Sequence, residues 1–332
     1  MSRGFKHRAK NTVAGVASAA AAVALLLTGC GAASPNEASE FPQRPVELVN
    51  PWAAGGSHDA HARAIASEIS DVLGQPMTVS IKSGGAGAVG ATAVAKQSKP
   101  DGYTLILGDQ TSVMARPMAE ELSYTWEDFR PVAQINDSPI VITVPGNSPY
   151  STIQDFVDAA KAMPGELQYG SVTGLGPDQI PVELLLKDAD IEVTHIPFEG
   201  GGPSYRAVLA EDVDMAPLFP AAVSKDVKEG RLKALAVTSP ERIPGLPDVP
   251  TLQESGFDVE WEMFRTVFAP KDTPDAVVEA LADDFAELAE SDGFHKIIEG
   301  LGEEVEFLSG DELEARVKSD AASLDSLVES LK

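Results

Sequence analysis

Cysteine and basic residues are scarce in this chain. Cys30 is its only cysteine, so the fold has no disulfide and no thiol site of its own. The 332 residues include 25 Lys and Arg against 51 Asp and Glu, which gives a net charge of −26 at neutral pH. A field of that sign repels nucleic acid and gives no long-range attraction to an anion. The charge therefore excludes nucleic acid as a partner, and an anionic ligand would have to be held by local geometry.

Long apolar runs are also missing after residue 30. The one prominent run covers 13–27, is rich in alanine and follows a basic segment without acids. It is shorter than the roughly 20 apolar residues that a membrane span requires. A basic start, a short apolar run and small residues are typical of an export signal.

The end of that run, Leu27-Thr28-Gly29-Cys30, resembles the lipobox of bacterial lipoproteins. It predicts that residues 1–29 are a lipoprotein signal peptide and that Cys30 carries the lipid. Residues 30–41 would then form a polar tether, and the protein would be extracytoplasmic and anchored to the cell membrane. The alternative is an ordinary soluble signal peptide with an incidental cysteine. Because residues 1–29 contain four basic and no acidic residues, the remainder carries −30.

Strand-like and helix-like segments alternate in two series after the tether. The first series has strands at 46–49, 77–82 and 104–107 and helices at 60–73 and 90–96. The second comprises segments at 141–144, 153–162, 168–170, 178–187, 193–196, 205–210, 213–216, 222–229 and 234–238, before a helical tail from residue 275. This pattern predicts an α/β fold with two lobes, the tail packing on the first. Ligands of such sheets bind at the loops that leave the strands.

The loop after the first strand contains Gly55, Gly56 and Ser57 directly before a helix. The glycines let the backbone approach a ligand, and Ser57 is predicted to be the N-cap. Free N–H groups at a helix start bind a carboxylate or phosphate without any lysine. The alternative is a plain turn between strand and helix.

Two other interpretations of the same loop, a hydrolase triad and a metal site, are less well supported than an anion site. Ser57, His58 and Asp59 are the residue types of a hydrolase triad, but consecutive residues do not easily reach one another in the required order. His58 and His61 lie three residues apart, on one face of a helix, which is a spacing that metal ligands can have. A solvated or ligand-facing His58 is favoured over zinc.

Glycine-rich turns follow strands in both halves. The segment 85–90 matches G-x-G-x-x-G, with Asp109 near the distance expected for a ribose-binding acid. Since it follows the second strand and the protein is predicted to be exported, close helix packing is the favoured role. Similar loops at 108–112, 170–179 and 198–203 would supply amide donors from both sides of one cleft.

The chain resembles the tripartite tricarboxylate transporter substrate-binding family, the Bug-type extracytoplasmic solute receptors. The resemblance is carried by the stretches at 45–59, 84–90, 100–105, 169–171, 195–200, 230–239, 246–251 and 268–270. It implies a type II periplasmic-binding-protein-like fold, with two α/β lobes around a ligand cleft. The first lobe would comprise 42–140 and 265–332, and the second 141–264, with crossovers near 140–144 and 265–269.

The resemblance also implies that the loops 53–59 and 171–179 grip a carboxylate, largely through backbone amides and water. The chain departs from the family at His58, where a small hydroxyl is usual, and at Gln179, where histidine is common. Leu218 and Phe219 replace a frequent Asp-Asn pair. Together with Trp52, these residues favour a carboxylate with an alkyl or aromatic body.

The predicted function is that of a receptor, not an enzyme, with no cofactor and no metal. It would bind a small organic carboxylate and deliver it to the membrane subunits of a tripartite tricarboxylate transporter, as a monomer. The alternatives are a ligand sensor for a membrane kinase and a secreted hydrolase or metal-binding lipoprotein. The expected ligand-binding residues are Trp52, Ala53, Ala54, Gly55, Gly56, Ser57, His58, Asp59, Gln110, Thr111, Ser171, Thr173, Gly174, Gln179, Phe198 and Gly200.

Overall fold

The computed structural model describes residues 41–198 and 200–330. The predicted signal peptide, Cys30 and nearly all of the tether lie outside the described residues. The described strands are β1 Val46–Asn50, β2 Met77–Ile81, β3 Thr104–Gly108, β4 Phe129–Pro139, β5 Val141–Pro145, β6 Gln168–Val172, β7 Thr194–Phe198, β8 Ala216–Leu218, β9 Leu232–Val237, β10 Glu262–Pro270 and β11 Leu308–Ser309.

Helices alternate with these strands, which confirms the predicted α/β class. The α-helices are α1 Ser57–Leu73, α2 Ala88–Thr92, α3 Arg116–Ala119, α4 Ile153–Ala162, α5 Gln179–Ala189, α6 Gly201–Leu209, α7 Pro220–Lys228, α8 Asp275–Ala289, α9 Asp292–Gly300 and α10 Gly310–Ser330. Shorter π-helical turns cover Ala93–Gln97 and Gln110–Ala115, and a 3-10 turn covers Trp126–Asp128.

The larger sheet of the described residues has six strands in the order β11-β4-β10-β3-β1-β2. β1 pairs in parallel with β2 and β3, so that Val49 lies opposite Ser80 on one side and Ile106 on the other. β10 runs antiparallel between β3 and β4 and pairs Thr266 with Gly108. The carboxyl ends of β1 and β3 and the amino end of β10 therefore meet at one edge.

Both faces of this sheet are covered by helices. On one face α1, α8 and α9 bury Ile65, Leu281 and Phe294 completely. On the other face α10 buries Leu313 and Val317. The three C-terminal helices thus pack on the sheet that contains β1. Since apolar burial stabilises by about 25 cal/mol per Å², this packing holds the tail in place.

The second group of strands forms a three-stranded sheet β8-β5-β9 and a parallel pair β6-β7. An isolated bridge between Tyr169 and Met215 joins the β6-β7 pair to the residue before β8. The hydrophobic core of this second group contains Tyr169, Phe156 and Leu185. The lobe boundaries at 140/141 and 264/265 stay predictions.

The pattern did not predict β4, the longest strand described. Gln134, Asn136 and Ser138 are polar but completely buried, so they break the apolar pattern that marks a strand. They are satisfied by residues far along the chain: Arg316 donates to Gln134 at 3.1 Å, and Asn136 donates to Glu303 at 2.6 Å. In residues 41–198 and 200–330, no helix is both long enough and apolar enough to cross a membrane.

Candidate ligand-binding site

The loop between β1 and α1 presents backbone N–H groups at the edge of the sheet. Gly56 is the N-cap of α1 and has an extended conformation, and no side chain caps it. The prediction that Ser57 is the N-cap is wrong: Ser57 is the first helical residue, and its hydroxyl is engaged elsewhere. The N–H groups of the first turn have no partner within the helix, as in any α-helix. Such groups are the donors that a helix start can offer to an anion.

Ala53, Ala54, Gly55 and Gly56 are exposed, so this loop is open to solvent. Gly55 has a φ of +79°, which a side chain would strain. Its N–H donates to the Asp59 carboxylate at 2.9 Å. Asp59 therefore closes the turn from inside the helix instead of facing a ligand.

Trp52 and His58 share a buried carboxylate, Asp109. The Trp52 indole donates to Asp109 Oδ2 at 2.6 Å, and His58 Nε2 lies 3.3 Å from the same oxygen. Burial, and then the positive charge of Arg265, hold the pKa of His58 well below its usual 6.5. Burial raises the pKa of Asp109, against the N–H of Ser112 and the indole of Trp52. His58 is thus uncharged at neutral pH.

A second buried network lies under Ser57. Arg265 Nη2 donates to the Ser57 hydroxyl at 2.6 Å, and Nη1 lies 2.7 Å from Glu303. His61 Nε2 lies 3.0 Å from the same Glu303 oxygen. Burial opposes ionisation of Glu303, but the positive charge of Arg265 and the neighbouring His61 ring bring its pKa below the usual 4.5. A buried ion pair therefore supports the first turn of α1.

The loop between β6 and α5 uses its side chains mainly to brace itself. The buried Ser171 hydroxyl lies 2.8 Å from His195 Nε2. Gln179 accepts from the N–H of Leu175 at 3.0 Å and donates to Glu183 at 3.1 Å. Thr173 is half-buried, and its N–H donates to the Phe198 carbonyl at 3.1 Å.

This loop is joined to the loop after β3 by hydrogen bonds to two backbone carbonyls. Thr111 donates to Leu175 at 3.1 Å, and Arg116 donates to Gly174 at 3.2 Å. Gln110 is occupied differently: its amide donates to the Glu262 carbonyl and accepts from the N–H of Phe264, each at 3.0 Å. Thr111 and Gly174 are thus brought together, whereas Gln110 fastens the start of β10.

The remaining predicted positions, Phe198 and Gly200, lie where β7 ends and α6 begins. Phe198 is half-buried against Gly170, where an added Cβ would lie 2.7 Å from the ring. Gly200 is the N-cap of α6, with open space around it. Of the two atypical residues, Leu218 is buried in the core, but the half-buried Phe219 ring lies 5.4 Å from the Arg265 guanidinium.

Gly87 and Gly90 of the segment 85–90 have a packing role, as favoured from the sequence. A Cβ on Gly90 would lie 2.9 Å from Pro51, and one on Gly87 would lie 2.5 Å from Ser112. Ser57, His58 and Asp59 do not form a relay, because each bonds to a different partner. The part of the chain that is described contains no group of His, Cys, Asp and Glu arranged to hold a metal.

Sequence reasoning missed Arg265 and Glu303 as groups beneath the site, and it considered Asp109 only as a ribose-binding acid. Arg265 had a detectable signal, since it is the only cation in the apolar strand β10. Glu303 had none, because it lies in a loop among other acids.

Comparisons with known proteins bear on this arrangement. A family profile described as "Tripartite tricarboxylate transporter family receptor" matches residues 61–331. A UPF0065 protein of Bordetella pertussis is 34% identical over 268 residues, which cover 79% of this chain and 80% of that protein.

Two solved structures are also similar. MatC from Rhodopseudomonas palustris, with bound malate, is 27% identical with a TM-score of 0.78, covering 87% of this chain and 100% of that one. A second R. palustris protein, with adipate, is 29% identical with a TM-score of 0.80, covering 87% and 97%. These matches confirm the predicted two-lobed type II periplasmic-binding fold.

Proposed function

The chain belongs to the tripartite tricarboxylate transporter receptor family, and from this premise we propose that it captures a small organic carboxylate in the cleft between its lobes. One carboxylate would lie at the N–H groups of the first turn of α1, beside Ser57. The loop at 171–179 would close from the other side. The receptor would then deliver the acid to membrane subunits of its transporter.

The observation that carries this proposal is the start of α1, which no side chain caps and which directly follows the exposed loop 53–56. A helix N-terminus carries about half a positive charge and free donors, which suits a carboxylate. This explains how a chain of net charge −26 could hold an acid. The relatives solved with malate and adipate support the ligand class.

Two aromatic side chains near the buried groups of the site favour an acid with an alkyl or aromatic body. Trp52 and Phe219 are both half-buried and border Asp109 and Arg265, respectively. Apolar side chains near a few placed polar groups are typical of small-molecule sites. The other predicted site residues belong to this proposal, but Asp59 and Gln110 do not, because their side chains are engaged within the protein. The lipid anchor at Cys30 and the extracytoplasmic location belong to it as well.

Thermal-shift measurements with mono-, di- and tricarboxylates and aromatic acids test the ligand class, and Gly56→Leu tests the placement. Gly56 has a φ of −87°, and an added Cβ meets only the Ala53 carbonyl at 3.6 Å, so folding should tolerate the change. The new side chain would cover the free N–H groups and abolish the shift caused by the acid.

Gly300→Leu is the matched control, because Gly300 is helical and an added Cβ there meets nothing within 4 Å. It should keep the full shift. An undiminished shift in Gly56→Leu would show that the acid lies elsewhere.

A further inference from the structure

Arg265 is a completely buried cation directly beneath the proposed carboxylate site. It lies in β10, whose other residues are mostly apolar, and it has no exposed surface. A buried charge is costly unless it is paired and hydrogen-bonded. The arrangement of its partners therefore shows what the guanidinium does.

The two ends of the guanidinium face different groups. Nη1 faces Glu303 at 2.7 Å, and it also donates to Ser138. Nη2 donates to the Ser57 hydroxyl at 2.6 Å. Within the described residues Nε has no hydrogen-bond partner. One end of the guanidinium is thus neutralised, and the other is directed at the first residue of α1.

The Ser57 hydroxyl has one proton and two acceptor sites. Because Arg265 already donates to its oxygen, the hydroxyl proton is left to donate to another group. Ser57 is half-buried, at the point where the exposed loop enters the helix. Its free donor therefore stands beside the free backbone N–H groups.

We infer that Arg265 is a positioning residue that fixes the Ser57 hydroxyl as a donor to the carboxylate of the bound acid. This rests on the proposed function and names a further contact of the same site. The Arg265–Glu303 pair is neutral as a whole, so it adds little long-range attraction. Its effect is local, because hydrogen bonding strengthens the donor that it supports.

A double-mutant cycle tests this inference, with malate, adipate and benzoate as probes in calorimetric titrations. Ser57→Ala and Arg265→Met should each weaken binding at least about tenfold, the range for a hydrogen bond to a charged group. The double variant should bind no more weakly than the weaker single variant, because Arg265 acts through Ser57. A general structural effect of Arg265→Met would instead multiply the two losses.

Two matched controls remove a serine and an arginine elsewhere in the protein, and they show whether the loss of binding is specific to Ser57 and Arg265. Ser67→Ala removes another hydroxyl of α1, whose bond within the described residues is to the Ala64 carbonyl. Arg316→Met removes an arginine that pairs with the buried Asp137 at 2.6 Å. Both controls should bind within about twofold of the unmodified protein.

If Arg265→Met does not fold, the cycle is run on Arg265→Met with Glu303→Met, which removes both charges of the pair. Such replacements are often neutral for stability. Multiplied losses, or unchanged binding in Ser57→Ala, would overturn the inference and leave the proposed function intact. If the unmodified protein binds none of the three acids and no member of the thermal-shift panel, the proposed function fails, and this inference fails with it.

Discussion

Asp178→Asn should change how the stability of the protein depends on pH. Asp178 directly precedes α5 and is only 2% exposed. One carboxylate oxygen accepts from the N–H of Val172 at 3.1 Å, and the other has no hydrogen-bond partner among the described residues. Burial raises the pKa of Asp178 from 3.8 to about 7, although the Val172 N–H opposes the change.

The number of protons bound to the folded and to the unfolded protein decides whether stability rises or falls with pH. Between pH 3.8 and about 7 the folded protein holds a proton on Asp178 that the unfolded chain has lost. Stability therefore falls as pH rises through this window. At about 1.4 kcal/mol per pH unit, the total loss is about 4 kcal/mol.

The variant lacks this proton, so its stability should not fall for this reason. We expect the two proteins to have similar free energies of unfolding near pH 4. At pH 8 Asp178→Asn should be more stable by up to about 4 kcal/mol. Urea unfolding followed by circular dichroism at five pH values measures the free energy of unfolding of both proteins. The contributions of all other acids cancel when one free energy is subtracted from the other.

Asp188→Asn is the control, because Asp188 is an exposed acid on the same helix. Its stability profile should run parallel to that of the unmodified protein. If the profile of Asp178→Asn were also parallel, the ionised carboxylate would not be penalised in the fold, and the reasoning would be wrong.

Two further predictions concern the buried ion pair and the anchor. Glu303→Leu should destabilise the protein by about 3–5 kcal/mol at pH 7, because Arg265 loses its carboxylate. Since the pKa of Glu303 lies below 4.5, this contribution should shrink as pH falls below that value; an equal deficit in urea unfolding at pH 3 would contradict it. Cys30→Ser should move the protein from the membrane fraction to the soluble fraction, and retention at the membrane would refute anchoring through Cys30.

Much of the fold could be predicted because many of its helices and strands are marked by their own residue pattern and by the caps or turns beside them. α4 shows this: Ile153, Phe156 and Val157 are buried on one face, and Thr152 caps its start. β1 and β3 are short apolar runs between turns. Each of these elements is specified by residues adjacent in the chain.

The buried polar part of the fold could not be predicted in this way. Asn136 and Ser138 in β4 depend on Glu303, more than 160 residues later. No local pattern pairs a carboxylate in a C-terminal loop with an arginine in β10. The site was therefore predicted from its backbone loops alone, and the groups that support those loops were missed.

The charges beneath the cleft explain how a strongly acidic protein can present a site for an acid. Burial raises the pKa of Asp109, and this weakens the tendency of that carboxyl group to carry charge. The carboxylate of Asp59, in the first turn of α1, is paired with Arg63 at 3.0 Å. Glu303 is ionised, but its charge is matched by Arg265 on the side away from Ser57. His58 is neutral and adds no repulsion or attraction. What remains at the surface of the cleft is a set of donors on α1, whose influence acts at contact distance and is little screened by salt.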